Sequence, residues 1–243
     1  MKIYKYVNED YISKEWDSIC EVRNRTIMQK KDVSLLYVTS PCIINNIKND
    51  LPKKIIDVGC GTGYLTNQIA ELVDICYGID ISKKSIEIAK SQYQKNNLTF
   101  IHANINDFLF EEKFDSCVSN MVLMTDPEWM KSIKSIYMML KEKGTLFIMI
   151  THPCYWPQYW GYQDEPWFDY SSEIFINKEF SISMVKDMGT TTHIHRPLMQ
   201  YFNGLINTGF IIEKIEEPYP VSQTPSGYEF KYPRFLFIKC RKI

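Results

Sequence analysis

Asp57, three glycines at 59, 61 and 63, and Asp80 stand in an order that suits one kind of ligand. Glycine lacks a Cβ, so its backbone can come close to a bound group and adopt positive φ. The first turn of a helix that follows such a loop carries unpaired N–H groups that favour an electronegative partner. A carboxylate at the tip of the next strand can accept from both hydroxyls of a ribose. Together these features predict a nucleoside-bearing cofactor. The dinucleotide fingerprint needs G-x-G-x-x-G, whereas the spacing here is Gly59-Cys60-Gly61-Thr62-Gly63 with Leu65 and Thr66 beyond, which argues against a pyrophosphate ligand.

The elements that must position these residues surround them. Ile55, Ile56 and Val58 form a short β-branched run, as a parallel strand buried on both faces would. Leu65, Ile69 and Leu72 then recur at helical spacing, and residues 75–79 make a second apolar strand that stops at Asp80. Further along, Ser82 can cap a helix carrying Ile86, Ala89 and Tyr93, residues 99–103 read as a third strand, and residues 114–120 as a fourth. A helix opening at Asp126-Pro127 and closed by Gly144 leads to a fifth strand over 145–150.

The run KIIDVGCGTGYLTNQIAELVDICYGID over residues 54–80 resembles the class I S-adenosylmethionine-dependent methyltransferases, in which the first strand reads DVGCGTG and an acid ends the second. The resemblance implies an α/β fold with a Rossmann-like, doubly wound, seven-stranded sheet, mostly parallel with an antiparallel last strand. It implies S-adenosylmethionine as cofactor. Asp57, Gly59, Cys60, Gly61, Thr62 and Gly63 would hold its amino-acid end, and Asp80 with Ile81 its ribose. Asn104 and Ile105 would lie at the adenine, with Asp107 competing for the role. Asn104 stands where the family commonly has an acid, though an amide oxygen can still accept from an exocyclic amine. Asn120 and Met121 would sit beside the cofactor at a strand's carboxyl end. Neither D-P-P-Y nor N-P-P-Y is present, which removes the usual signature of enzymes acting on nucleobase amines.

Residues 1–50 read as an N-terminal helical segment, with Trp16, Ile19, Cys20, Arg23 and Ile27 on one stripe, Ser13 available as its cap, and a second helix after Ser40-Pro41. In the resembling family such a segment lies over the cofactor, where Tyr11 or Trp16 could serve; by residue type alone Trp16 reads as core filling. Residues 51–243 would form the catalytic domain. Between 152 and 192 periodicity fails and aromatics accumulate, a composition wrong for disorder. This stretch reads as a lid or substrate-binding insertion, offering Trp156, Tyr159, Trp160 and Trp167 to a planar acceptor, or alternatively as a small second core or a subunit interface. The run from His193 to Pro197 leads into a last helix stopped by Gly209, followed by strands at 210–215 and 235–240. The closing segment resembles that of small-molecule methyltransferases.

Methyl transfer to an oxygen or nitrogen asks for a base suited to neutral pH. His152 comes first because it follows the fifth strand directly, then Tyr155 and His193. A structural role for His152 at the His152-Pro153 hinge is the competing reading.

The 243 residues suffice for one large α/β domain with an elaboration. With a net charge of −1 and scattered charges there is no footprint for a phosphate backbone, so nucleic acid is disfavoured as a partner and a small-molecule acceptor is expected. The 7 cysteines form no C-x-x-C pair, and the paired histidines lack an acidic or cysteine partner at ligand spacing, so no metal is expected. No apolar run approaches the roughly 18 residues of a membrane span, and the N-terminus is polar, which together predict a cytoplasmic protein. A homodimer is compatible with the exposed aromatics. The competing readings are an RNA or protein methyltransferase, a non-catalytic cofactor-binding protein, and a nicotinamide-dependent oxidoreductase.

Overall fold

The computed structural model describes all residues except 109, 111–112, 183–184, 187, 223 and 225–230. In chain order the elements are β1 (Lys2–Tyr4), α1 (Glu9–Met28), a single π-helical turn (Leu35–Thr39), α2 (Ser40–Asp50), β2 (Lys54–Val58), α3 (Tyr64–Ile69), β3 (Ile75–Asp80), α4 (Lys83–Gln92) and β4 (Leu98–His102). There follow β5 (Phe114–Asn120), α5 (Trp129–Met139), β6 (Leu140–Thr151), α6 (Trp156–Trp160), β7 (Ile174–Glu179), β8 (Thr190–His195), α7 (Leu198–Thr208), β9 (Phe210–Glu216) and β10 (Phe235–Lys242).

Seven strands form the main sheet in the order β4-β3-β2-β5-β6-β10-β9. The pairs β2–β3, β3–β4, β2–β5 and β5–β6 are parallel. Strand β10 runs antiparallel to both β6 and β9, so the expected mostly parallel, seven-stranded Rossmann-like sheet with an antiparallel last strand is what forms. Residues 146–150 show why the strands read as unbroken apolar runs. Leu146, Ile148 and Ile150 face the layer of α5 and α7, packing with Ile133, Ile136, Tyr201 and Leu205. Phe147 and Met149 face the opposite layer, with Ile43 and Ile47 of α2 and Leu65 and Ile69 of α3. Helices thus cover both faces, and both sets of side chains are buried.

Several local expectations change. Helix α1 is capped by Asn8, whose Oδ1 accepts from Tyr11 N, while the Ser13 hydroxyl donates to the Ile81 carbonyl at 2.8 Å and ties the helix to the end of β3. Helix α5 ends at Met139, five residues before the expected Gly144 stop, because Leu140 is already extended and pairs with Phe114. The turn lies inside β6, where Lys143 takes φ 61°.

The aromatic stretch is structured. After α6, β7 and β8 form an antiparallel hairpin, and β1 adds to β7 to complete a second, three-stranded sheet. His193 and His195 therefore lie on a strand, from which Arg196-Pro197 leads directly into α7. Helix α1 is pinned to this small sheet by buried Glu15, whose carboxylate accepts from Asn177 Nδ2 (2.6 Å), Thr192 N (2.8 Å) and Thr192 Oγ1 (3.0 Å). A fully paired buried carboxylate of this kind fixes the geometry of what it joins.

Candidate functional site

Where β2 ends, the chain turns sharply. Gly59 sits at φ 72°, and a Cβ built there would lie 2.2 Å from Val122 Cγ2, so no side chain fits. Gly61 also has positive φ, but its Cβ would meet nothing within 4 Å: its backbone borders open space. The loop is held by Gly59 N and Cys60 N donating to the Ile79 carbonyl (2.8 and 3.1 Å) and by Gly61 N donating to Asp80 Oδ2 at 2.8 Å. Ser82 N donates to Asp80 Oδ1 at 2.7 Å. Burial raises the Asp80 carboxyl while these two N–H groups pull it down. Both oxygens keep further lone pairs for a ligand.

Asp57 lies one strand inward and is 1% exposed. Thr66 Oγ1 donates to its Oδ2 at 2.7 Å, whereas Oδ1 is buried with no hydrogen-bond partner. Burial, with a smaller push from Asp80, raises this carboxyl to about 7 against the pull of the Thr66 hydroxyl. A second buried acceptor, Asn120 Oδ1 at the end of β5, also has no partner. Unpaired buried acceptors are costly unless a ligand donates to them.

These groups share one cavity of about 170 Å³. Its wall contains Asp57, Gly59, Cys60, Gly61, Thr62, Asp80, Ile81, Asn104, Ile105, Asn120 and Met121, which is every sequence-predicted cofactor residue except Gly63. Helix α1 closes another side with Glu9, Ile12, Trp16, Cys20, Arg23 and Ile27. Asn104 accepts from Asn106 N at 2.9 Å, forming a tight turn at the rim. Its competitor Asp107 points to solvent, 72% exposed and 3.6 Å from Lys131.

A second cavity of about 490 Å³ adjoins the first, since Trp16, Arg23, Leu35, Met121 and Thr125 line both. Trp156, Tyr159 and Trp160 of the aromatic stretch line it, together with Phe180, Phe235 and His193. Burial first, then the neighbouring His195 and Arg196, hold the His193 imidazole well below its ordinary pKa, so it is neutral. The Trp156 indole N–H is buried without a partner, as is the Thr39 hydroxyl. At the junction of the cavities Arg23 Nη1 lies 2.9 Å from buried Asp32.

Six sequence candidates lie outside both cavities: Asp107, Tyr11, whose hydroxyl lies 3.3 Å from that of Tyr4, and four more. His152 Nδ1 accepts from Cys154 N at 3.2 Å, which leaves Nε2 to donate to Glu217 Oε1 at 2.8 Å. Tyr155 stacks on Tyr232 with ring centroids 5.4 Å apart, and Trp167 stacks on Tyr162 at 5.9 Å. Gly63 faces Phe100 and Ala89. Conversely, sequence reasoning missed Arg23, Asp32 and Thr39. Only Arg23 left a signal: a guanidinium on the apolar stripe of α1. Among the described residues no group of three or more histidines, cysteines and acids could hold a metal ion.

A family model described as a methyltransferase domain matches residues 50–190. An uncharacterised protein of Haemophilus influenzae is 26% identical over 234 residues, covering 85% of this chain and 87% of that one. A ubiquinone biosynthesis O-methyltransferase of Glaesserella parasuis is 35% identical over 127 residues, covering 49% of this chain; the chain spans 54% of that enzyme's length. Crystal structures of S-adenosylmethionine-dependent methyltransferases from Clostridium acetobutylicum (TM-score 0.66, 16% identity, 93% of this chain and 98% of that one) and Mesorhizobium loti (0.60, 21%, 82% and 96%) share the fold.

Proposed function

This chain belongs to the methyltransferase-domain family, and from that premise we propose that it moves a methyl group from S-adenosylmethionine to an oxygen or nitrogen of a small, planar acceptor. The observation that carries the reading is the meeting of two cavities. One presents unpartnered carboxylate and amide oxygens and an open glycine backbone; the other is aromatic and contains a neutral histidine.

The donor set fits the cofactor. Asp57 Oδ1 and Asn120 Oδ1, orphaned and buried, suit an ammonium group; Gly61 leaves room for the amino-acid chain; the remaining lone pairs of Asp80 suit ribose hydroxyls; and the Ala103–Ile105 rim suits the base. When bound, the cofactor supplies an electrophilic methyl on a sulfonium.

The chain's own residues do the rest. Trp16 and Met121, which line both cavities, place the acceptor against the cofactor site and exclude water from the junction. Trp156, Trp160 and Phe180 offer ring faces to a planar acceptor. His193 takes the proton that the nucleophile gives up, because its ring is neutral and lines the acceptor cavity. His152 and Tyr155 hold the start of the aromatic stretch instead, through Glu217 and Tyr232. Domain division follows the same logic: residues 1–50 close the cofactor site, and 152–192 roof the acceptor site of the 51–243 domain.

The test is methyl transfer from labelled S-adenosylmethionine into fractionated cell extract. Label is expected in the small-molecule fraction. Label confined to RNA or protein would replace the acceptor class while keeping the family, and His193→Ala acting at the wild-type rate would remove the base.

A further inference from the structure

His193 is one end of a buried chain of polar groups on the far side of the acceptor cavity. Tyr162 Oη lies 3.4 Å from His193 Nε2 and 3.3 Å from His195 Nδ1, and His195 Nε2 lies 3.1 Å from the Tyr170 carbonyl oxygen. Tyr162 is 0% exposed, His195 1% and His193 6%. Of the three side chains only His193 lines the acceptor cavity.

The direction of each hydrogen bond follows from its fixed end. A backbone carbonyl can only accept, so His195 carries its proton on Nε2 and donates to Tyr170 O. Burial holds His195 below its ordinary pKa, so the ring is neutral and its Nδ1 is an acceptor. The Tyr162 hydroxyl must then spend its one proton on His195 Nδ1. Its oxygen is left to accept, so His193 must carry a proton on Nε2. The lone pair of His193 is thereby placed on Nδ1.

We propose that Tyr162 and His195 are positioning residues that lock His193 into the Nε2–H tautomer, so that Nδ1 is the nitrogen that receives the proton of an acceptor whose nucleophile arrives protonated, as a hydroxyl does. The balance is simple. The nucleophile's proton goes to Nδ1, its bonding pair stays on the nucleophile, and the imidazolium formed still donates from Nε2 to Tyr162 Oη, so this hydrogen bond persists through the transfer while burial and Arg196 favour return of the ring to its neutral form. The inference rests on the proposed methyl transfer only for the identity of the step; the tautomer is a property of the protein itself.

The experiment reads the tautomer directly. With only 4 histidines in the chain, two-bond ¹H–¹⁵N correlation spectra of the full protein at neutral pH resolve each ring. Expected is a single Nε2–H tautomer at His193 and at His195. Tyr162→Phe, which removes only the hydroxyl, should turn His193 into a mixture of tautomers while thermal unfolding stays within a few degrees of wild type. His195→Gln can accept from Tyr162 and donate to Tyr170, so it should keep the His193 tautomer; His195→Leu should lose it. This pair decides the matter even where Tyr162→Phe fails to fold. An Nδ1–H tautomer or an imidazolium at His193 in wild type, or a His193 signal indifferent to Tyr162→Phe and His195→Leu, overturns the proposal. Calorimetric titration of the same samples with S-adenosylhomocysteine separates this outcome from failure of the methyltransferase reading, since cofactor binding does not depend on the relay.

Discussion

Replacing Gly59 by alanine probes the turn on which the cofactor site is built. Two costs add. A non-glycine residue at φ 72° gives up about 1–2 kcal/mol relative to right-handed backbone. The new methyl would lie 2.2 Å from Val122 Cγ2 and 3.2 Å from Cγ1, an overlap that forced repacking relieves at about 1–3 kcal/mol. Gly59→Ala should therefore lose about 2–5 kcal/mol in urea unfolding. Val122→Ala removes the two methyls in the way and leaves its Cβ at 3.3 Å, so the double variant should recover the packing share and retain the backbone share. The double-mutant cycle then shows a favourable coupling of about 1–3 kcal/mol. Affinity for S-adenosylhomocysteine should follow the same order, because Gly59 N and Gly61 N anchor the loop to β3 and to Asp80. Additivity within about 0.5 kcal/mol, or an alanine variant as stable as wild type, would refute this account of the turn.

Burial keeps Asp57 protonated in the fold up to about 7, whereas in the unfolded chain it ionises near ~3.9. Its contribution to stability is full below about pH 4 and is lost as pH rises through about 7, a swing of about 4 kcal/mol. Asp57→Asn should flatten that part of the urea-midpoint profile, and should also flatten the rise in S-adenosylhomocysteine affinity expected of wild type as the carboxylate forms. The histidines act with the opposite sign: burial depresses His193 and His195, so stability should fall as pH drops below about 6.5, where only the unfolded chain takes up their protons. Removing Arg23 alone, as Arg23→Leu, strands the buried Asp32 charge and should cost about 3–5 kcal/mol, most of it regained in Arg23→Leu with Asp32→Asn, as chemical unfolding of both variants would show.

The cofactor side of this molecule was legible because its chemistry is local in sequence. Asp57, the glycine loop and Asp80 lie within one β-loop-α-β unit, and the strand ends that supply Asn104 and Asn120 follow from parallel topology alone. The second cavity was legible only in Trp156, Tyr159, Trp160 and His193, because the rest of its lining is assembled from distant pieces. Arg23 and Thr39 come from the N-terminal helices, and Phe235 from the start of β10. No periodicity reports that residues 2–4 will pair with residues 175–177 and so complete a sheet around the aromatic stretch. Proximity in sequence put His152 ahead of His193 among the candidate bases. His152 follows β6 directly, yet both its ring nitrogens are engaged outside the cavities, while His193, forty-one residues on, lines one of them. The α5 boundary shifted for a similar reason: Gly144 looked like a helix stop, but Leu140 had a strand partner in Phe114, and tertiary pairing outweighed the local signal.

The central claim is that the cavity around Asp57, Gly61 and Asp80 takes S-adenosylmethionine. Isothermal titration of the protein tests it most directly. S-Adenosylhomocysteine should bind with one-to-one stoichiometry, Asp80→Ala should weaken it at least tenfold by removing the ribose acceptor and the Gly61 anchor together, and a nicotinamide dinucleotide should give no heat. Binding of the dinucleotide without binding of S-adenosylhomocysteine, or S-adenosylhomocysteine affinity unchanged in Asp80→Ala, would contradict it.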